Sequence, residues 1–195
     1  MTRPTLTTDR FRLVPMTIEH LPLLVELDAD PDVLRYVLGR ARSEREVRNH
    51  WGPVCADTDA DAVGLGWWIG YRQDTGDFLG WWDLSPDVPV PRRPSRAEAG
   101  WRLARRNWGH GYATEGAAAL LDHGFNSIGL DTVWAETMAV NQPSRGVMAK
   151  LGMRHVRTDH RAWDDPLPGA EQGEVVYEIT REEWILREAL RKATG

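Results

Sequence analysis

Between Arg106 and Glu115 the chain reads Arg-Asn-Trp-Gly-His-Gly-Tyr-Ala-Thr-Glu, two closely spaced glycines that lead into an alanine-rich helical pattern. Gly109 and Gly111 allow φ > 0 and leave no Cβ in the way, so successive main-chain N–H groups can converge on one ligand. The helix that follows adds its unpaired N–H groups and positive dipole end, which favours a phosphate or pyrophosphate over a neutral ligand. Charge is distributed to match. Arg92, Arg93, Arg96, Arg102, Arg105 and Arg106 face one nearby acid, Glu98, in a chain whose formal net charge is −5. A local anionic ligand fits that asymmetry.

Other chemistries are excluded by what is missing. A pI near 5.7 argues against a nucleic-acid surface. The lone cysteine, Cys55, rules out a disulfide framework and a thiolate metal cluster, and no His-x-x-x-His pattern implies a metal. His110 lies within the glycine turn, whereas His123 and His155 read as structural or exposed. There is no run of 18 apolar residues and no apolar leader segment, so neither a membrane span nor export is expected and the default is a cytoplasmic protein. With 195 residues, 42% of them hydrophobic, the chain fits one domain over 1–195.

The elements that must position the glycine turn can be read from periodicity and punctuation. Thr7 to Pro15 alternates as a first strand, and Thr17 opens a helix that Asp30-Pro31-Asp32 ends. Ser43-x-x-Glu46 has the capping-box form and predicts a helix over about 44–55. Gly66 to Arg72 and Asp77 to Leu84 form a hairpin around Gln73 to Gly76, and each strand carries adjacent tryptophans that must face opposite sides of the sheet. Ser85 to Ser95, with four prolines, reads as a stiff loop, and Glu98 to Arg105 as a strand running into the turn. A helix then runs from Tyr112 to about Ile128. Asp131 to Val140 is another strand, followed by a short helix from Ser144 to Leu151 that Gly152 caps. Arg154 to His160 and Glu174 to Thr180 are the last strands, and Thr180-x-x-Glu183 opens a C-terminal helix.

These motifs together suggest a family. Arg106-x-x-Gly109-x-Gly111 followed by Tyr-Ala-Thr-Glu, then Asn141-x-Pro143-Ser144 and Lys150-Leu151-Gly152-Met153, resembles the GCN5-related N-acetyltransferases, in the branch of the ribosomal-protein N-terminal acetyltransferases. Rival phosphate motifs fail: no lysine follows as a P-loop needs, and Thr114 stands where a dinucleotide fingerprint needs glycine. The resemblance implies an α/β fold with a mixed, mostly antiparallel twisted sheet of about seven strands, helices on both faces, and central strands splayed at the cofactor site. It implies acetyl-CoA as donor and a primary amine as acceptor, either a small molecule or a protein N-terminus.

The resemblance also assigns residues. The main-chain groups of Trp108, Gly109, His110, Gly111, Tyr112 and Ala113 would hold the pyrophosphate of coenzyme A, with Arg106 beside them. The strand containing Trp101 and Leu103 would pair with the pantetheine arm like an added edge. Asn141 and Ser144 would lie close to the sulfur, and Lys150 or Arg145 could meet outer phosphates. An acceptor ammonium must lose a proton and the departing thiolate benefits from gaining one. Glu98, directly or through water, is the base candidate and Ser144 the acid candidate. The alternative is a coenzyme A-binding sensor or interaction module without chemistry, and exposed tryptophans make a homodimer plausible.

Overall fold

The computed structural model describes residues 3–89 and 94–194. Eight strands, β1 (Leu6–Thr7), β2 (Phe11–Pro15), β3 (Gly66–Arg72), β4 (Phe78–Pro86), β5 (Arg96–Leu103), β6 (Thr132–Met138), β7 (Arg154–Asp159) and β8 (Glu174–Thr180), form one sheet. Their order is β1-β2-β3-β4-β5-β6-β8-β7. Five α-helices accompany them: α1 (Leu21–Asp28), α2 (Glu44–Ala56), α3 (Tyr112–Asp122), α4 (Gln142–Lys150) and α5 (Arg181–Thr194). The expected mixed α/β architecture is present, with one strand more than anticipated. The extra strand arises because Thr8 breaks the first one. Its hydroxyl donates to the Phe11 carbonyl and accepts from the Arg10 and Phe11 N–H groups, which folds β1 back on β2.

Both faces of the sheet are covered. Trp68 and Trp82 enter one core beneath α3, with Met148 of α4 and Trp184 of α5. Trp67 and Trp81 turn to the other face and meet Trp51 of α2, with ring centroids 4.8–5.5 Å apart. Alternation along a strand therefore splits each tryptophan pair between two helical layers. Trp82 seats α3 directly: its indole Nε1 donates to the Ala113 carbonyl at 3.2 Å.

Local sequence explains most boundaries. Both capping boxes form, Ser43 with Glu46 and Thr180 with Glu183. Other boundaries differ from expectation. β4 continues through Ser85 to Pro86, because both residues pair with β5, and β5 begins at Arg96, which places Glu98 inside the strand and not at its start. The helix expected to reach Ile128 changes to a π-turn at His123–Ile128, where the buried imidazole bonds the Gly64 carbonyl at 2.8 Å and Gly129, at φ 87°, ends the run. Helix α4 starts at Gln142, two residues earlier than expected, because Asn141 is its cap.

The relationship that shapes the site lies at the sheet centre. Every neighbouring pair is antiparallel except β5 and β6. These two run parallel and pair at only three positions, Arg96 with Thr132, Ala97 with Val133 and Glu98 with Trp134. Beyond Glu98 they diverge, so the expected splay is present and Glu98 stands at its vertex.

Candidate active site

The glycine turn has the conformation its sequence demands. Gly109 and Gly111 have φ of 76° and 82°, and a Cβ on Gly109 would meet nothing within 4 Å. Gly111 is the N-cap of α3 and supplies no side-chain cap, so the first N–H groups of the helix point out of its end. This open, main-chain-lined concavity fits a pyrophosphate. The turn is held from outside by Arg10, a residue that motif reading missed. Its Nε donates to Glu115 Oε2 at 2.6 Å, its Nη1 to the His110 carbonyl at 2.9 Å, and its guanidinium lies 4.4 Å from the Tyr112 ring centroid. Nothing local in the sequence ties Arg10 to a helix a hundred residues on. The His110 ring stacks on Tyr112 at 6.0 Å.

The unpaired edge of β5 leads from the turn to the vertex. Ala104 N–H bonds the Leu79 carbonyl and Asp87 N–H the Arg96 carbonyl, which directs the main-chain groups of even-numbered β5 residues towards β4. By alternation those of Ala99, Trp101 and Leu103 face the gap. One of these acceptors is already taken: Trp108 Nε1 donates to the Leu103 carbonyl at 2.8 Å, folding the half-exposed indole back over the end of the strand. The gap thus presents an extended edge of the kind an amide-containing arm can pair with.

Glu98 is half-buried and makes no hydrogen bond or ion pair among the described residues. Burial pushes its carboxyl above the usual range, and the neighbouring Glu136 adds to the shift while Arg161 opposes it. Arg161 is itself bidentate to Glu136, at 2.7 Å to each oxygen, and so ties the 160–169 loop to β6. Across β4, Ser85 is the register partner of Glu98 and Asp83 that of Gly100.

At the far side of the gap Asn141 is fully engaged. Its Oδ1 accepts from the Ser144 N–H at 3.3 Å and its Nδ2 donates to Thr137 Oγ1 at 2.8 Å, so the side chain joins the end of β6 to the start of α4. The Ser144 hydroxyl makes no hydrogen bond among the described residues. Tyr177 is buried and accepts from Arg145 Nε at 3.3 Å, while Arg145 Nη1 also holds the Ala139 carbonyl.

The arginine run behaves differently from the expectation of a ligand-directed charge. Arg96 pairs with Glu178 and Asp87, Arg105 with Asp32, and Arg106 with Glu26 on α1. Arg102 is largely buried and bonds Asp28 at 3.0 Å, with Arg42 and the Trp51 indole on the same carboxylate. The described arginines are thus matched by acids brought from α1, the loop after it, the end of β4 and β8. Arg92 and Arg93 lie outside the described residues. Cys55 is a buried residue of α2, as expected. Among the described residues there is no cluster of His, Cys, Asp or Glu able to hold a metal, and no helix long and apolar enough to cross a membrane.

Comparison with known proteins agrees with this geometry. The family model described as acetyltransferase (GNAT) domain matches residues 10–154. The FsC-acetyl coenzyme A-N(2)-transacetylase of Aspergillus fumigatus is 43% identical over 191 residues, covering 94% of this chain and 79% of the relative. Two solved structures share the fold. RimL, a ribosomal L7/L12 alpha-N-protein acetyltransferase in complex with coenzyme A, superposes with a TM-score of 0.74 at 17% identity, over 92% of this chain and 99% of its own. A spermidine N-acetyltransferase from Vibrio cholerae, bound to CoA and spermine, does so with 0.71 at 14% identity, over 90% and 98%. The chain belongs to the GNAT acetyltransferase family and is an acetyl-CoA-dependent acyltransferase.

Proposed function

We propose that this chain acetylates a primary amine on a small molecule, with Glu98 as the base that frees the acceptor nitrogen and Ser144 as the acid at the departing sulfur. The observation that carries this reading is the position of Glu98 at the last rung joining β5 to β6, where the gap opens. Acetyl-CoA supplies the electrophilic acetyl carbonyl; the protein's own groups must handle the protons. The acceptor arrives as an ammonium and has to be deprotonated, and a carboxyl raised by burial suits that task better than an ordinary glutamate. Ser144, at the start of α4 with an uncommitted hydroxyl, lies on the opposite wall. In this reading Trp101 offers its main-chain groups, and Leu103 its N–H, to the pantetheine arm. The N–H groups of Trp108 to Ala113 take the pyrophosphate, and Arg106 contributes through its main chain because its side chain is held by Glu26. Asn141 positions Ser144 and takes no direct chemical role.

Support for a nitrogen acceptor comes from the relative named FsC-acetyl coenzyme A-N(2)-transacetylase, which is 43% identical to this chain. The acceptor side of the sheet adds to it. A cavity of about 250 Å³ beside Ser85 and Pro86 is lined by Trp67, Asp57, Asp59 and Arg3; the arginine is paired with Asp61, which leaves the two aspartates to meet a cationic, partly apolar amine. Thiol release followed with small amines and with N-terminal peptides separates the two acceptor classes. Glu98→Gln and Ser144→Ala should each lower turnover about tenfold or more while acetyl-CoA binding persists. Rates within about twofold of the parent would remove these role assignments. Neither the site nor the relatives favour a non-catalytic coenzyme A-binding module. Trp163, Ile185 and Leu186 are exposed and fit the expected homodimer, which light scattering tests.

A further inference from the structure

We propose that Asp83, acting through Ser85, takes up the proton that Glu98 draws from the acceptor amine, so that a three-residue relay crosses from β5 to β4. The proposal rests on the assignment of Glu98 as base.

The register places the three side chains on one face of the sheet. Ser85 stands opposite Glu98, and Asp83 opposite Gly100, one step further along both strands. Main-chain bonding directs the N–H and C=O of Glu98 towards β4, so Ser85 and Glu98 are a hydrogen-bonded pair, the wider of the two kinds, with Cα atoms about 5.5 Å apart. Ser85 Oγ donates to Asp83 Oδ2 at 2.9 Å. With its proton committed there, the serine oxygen keeps lone pairs with which it can accept from Glu98, its register partner. Gly100 makes the arrangement possible, because a Cβ at that position would lie 2.2 Å from Asp83 Oδ1.

Asp83 is buried with Ser85 as the one side-chain donor to its carboxyl among the described residues. It is 6% exposed, and its Oδ1 takes no hydrogen bond from any described residue. The charged groups facing it from β5 are Glu98 and Arg102. Its β3 neighbour is the uncharged Trp67. The helical layer contributes Asp28, Arg42 and His50, gathered about Arg102, whose guanidinium bonds Asp28. Burial pushes the Asp83 carboxyl up to about 8, with Glu98 adding to the rise and Ser85 and Arg102 opposing it. Such a carboxyl exchanges protons near neutrality. Ser85 also lines the 250 Å³ cavity, which gives the relay an outlet to solvent.

The step balances without an added reactant. One ammonium N–H bond breaks and its proton passes to the Glu98 carboxylate. Glu98 passes it to Ser85 Oγ as the serine's own proton moves to the Asp83 carboxylate, which later returns it by way of Ser85 to the cavity that Ser85 lines. Because Asp83 must begin ionised, turnover should rise with pH through about 8.

The test compares pH profiles of kcat/KM for the parent, Asp83→Asn and Ser85→Ala. Asparagine keeps the size and the acceptor oxygen for Ser85 but cannot titrate. Both variants should lose the rise near pH 8 and fall about tenfold or more at the plateau, with acetyl-CoA affinity by calorimetry unchanged. Profiles like the parent's in both, together with a slow Glu98→Gln, overturn the relay and leave Glu98 as base. A fast Glu98→Gln overturns the base assignment itself and the relay with it. Ser85→Ala leaves the buried carboxyl in place, so it decides the matter should Asp83→Asn fold poorly.

Discussion

Trp82 is clamped between two glycines. A Cβ on Gly116 of α3 would lie 2.5 Å from its indole, and one on Gly70 of β3 would lie 2.4 Å from the ring on the other side. The indole has no free direction in which to retreat, and it also carries the bond to the Ala113 carbonyl at the start of α3. The small residues of the alanine-rich segment therefore set the height of the glycine turn above the sheet.

Gly116→Ala should accordingly cost about 1–3 kcal/mol, the range for overpacking a filled core. Thermal unfolding should show a drop of several degrees, and calorimetry a weaker affinity for coenzyme A as the first turn of α3 lifts. A variant with unchanged melting temperature would show that the helix accommodates the methyl freely.

Arg10→Ala separates binding from stability. The pair with Glu115 is partly exposed, so its loss should cost less than about 1 kcal/mol of folding free energy. Losing the braces on Glu115 and the His110 carbonyl should weaken coenzyme A binding severalfold, measured by calorimetry. Equal affinity in parent and variant would show that the turn holds its shape without Arg10.

Asp83 should make the folded state pH-sensitive. Its folded value near 8 lies far above that of an unfolded aspartate, so its stabilising contribution is complete in acid and declines as pH rises from about 4 to about 8. Above that window the curve flattens. Denaturant titrations of Asp83→Asn should therefore match the parent near pH 4 and show a more stable protein near pH 8. Parallel curves for the two proteins would mean that Asp83 is ionised throughout.

Asn141 can be tested as a cap. Asn141→Ala should lose about 1 kcal/mol and lower turnover, whereas Asn141→Ser, which can still cap α4, should keep most of both. If the serine variant is as slow as the alanine variant, the amide has a chemical role beyond its bonds to Ser144 and Thr137.

How far the sequence revealed this structure depended on the range of the interaction concerned. The capping boxes at Ser43 and Thr180, the strands Gly66–Arg72 and Glu174–Thr180, and the glycine turn are written in adjacent residues, and each was legible. The anchoring of Arg102 by Asp28 and of the turn by Arg10 joins distant segments and leaves no local trace. Asp83 was passed over: a single carboxylate inside Gly-Trp-Trp-Asp-Leu interrupts an apolar strand, but its meaning depends on facing Gly100 on β5. The resemblance places Asn141 close to the sulfur, and the bonds to Ser144 and Thr137 reveal its capping work.

The brief parallel contact between β5 and β6 has a mechanical consequence. The sheet consists of two antiparallel panels, β1 to β5 and β6 to β7, hinged on three rungs from Arg96 to Glu98. An extended ligand lying along Ala99 to Leu103 acts as the missing rungs and fastens the panels together. Donor binding should then stiffen both panels at once, and amide hydrogen exchange should slow in β6 and β8 as well as in β5.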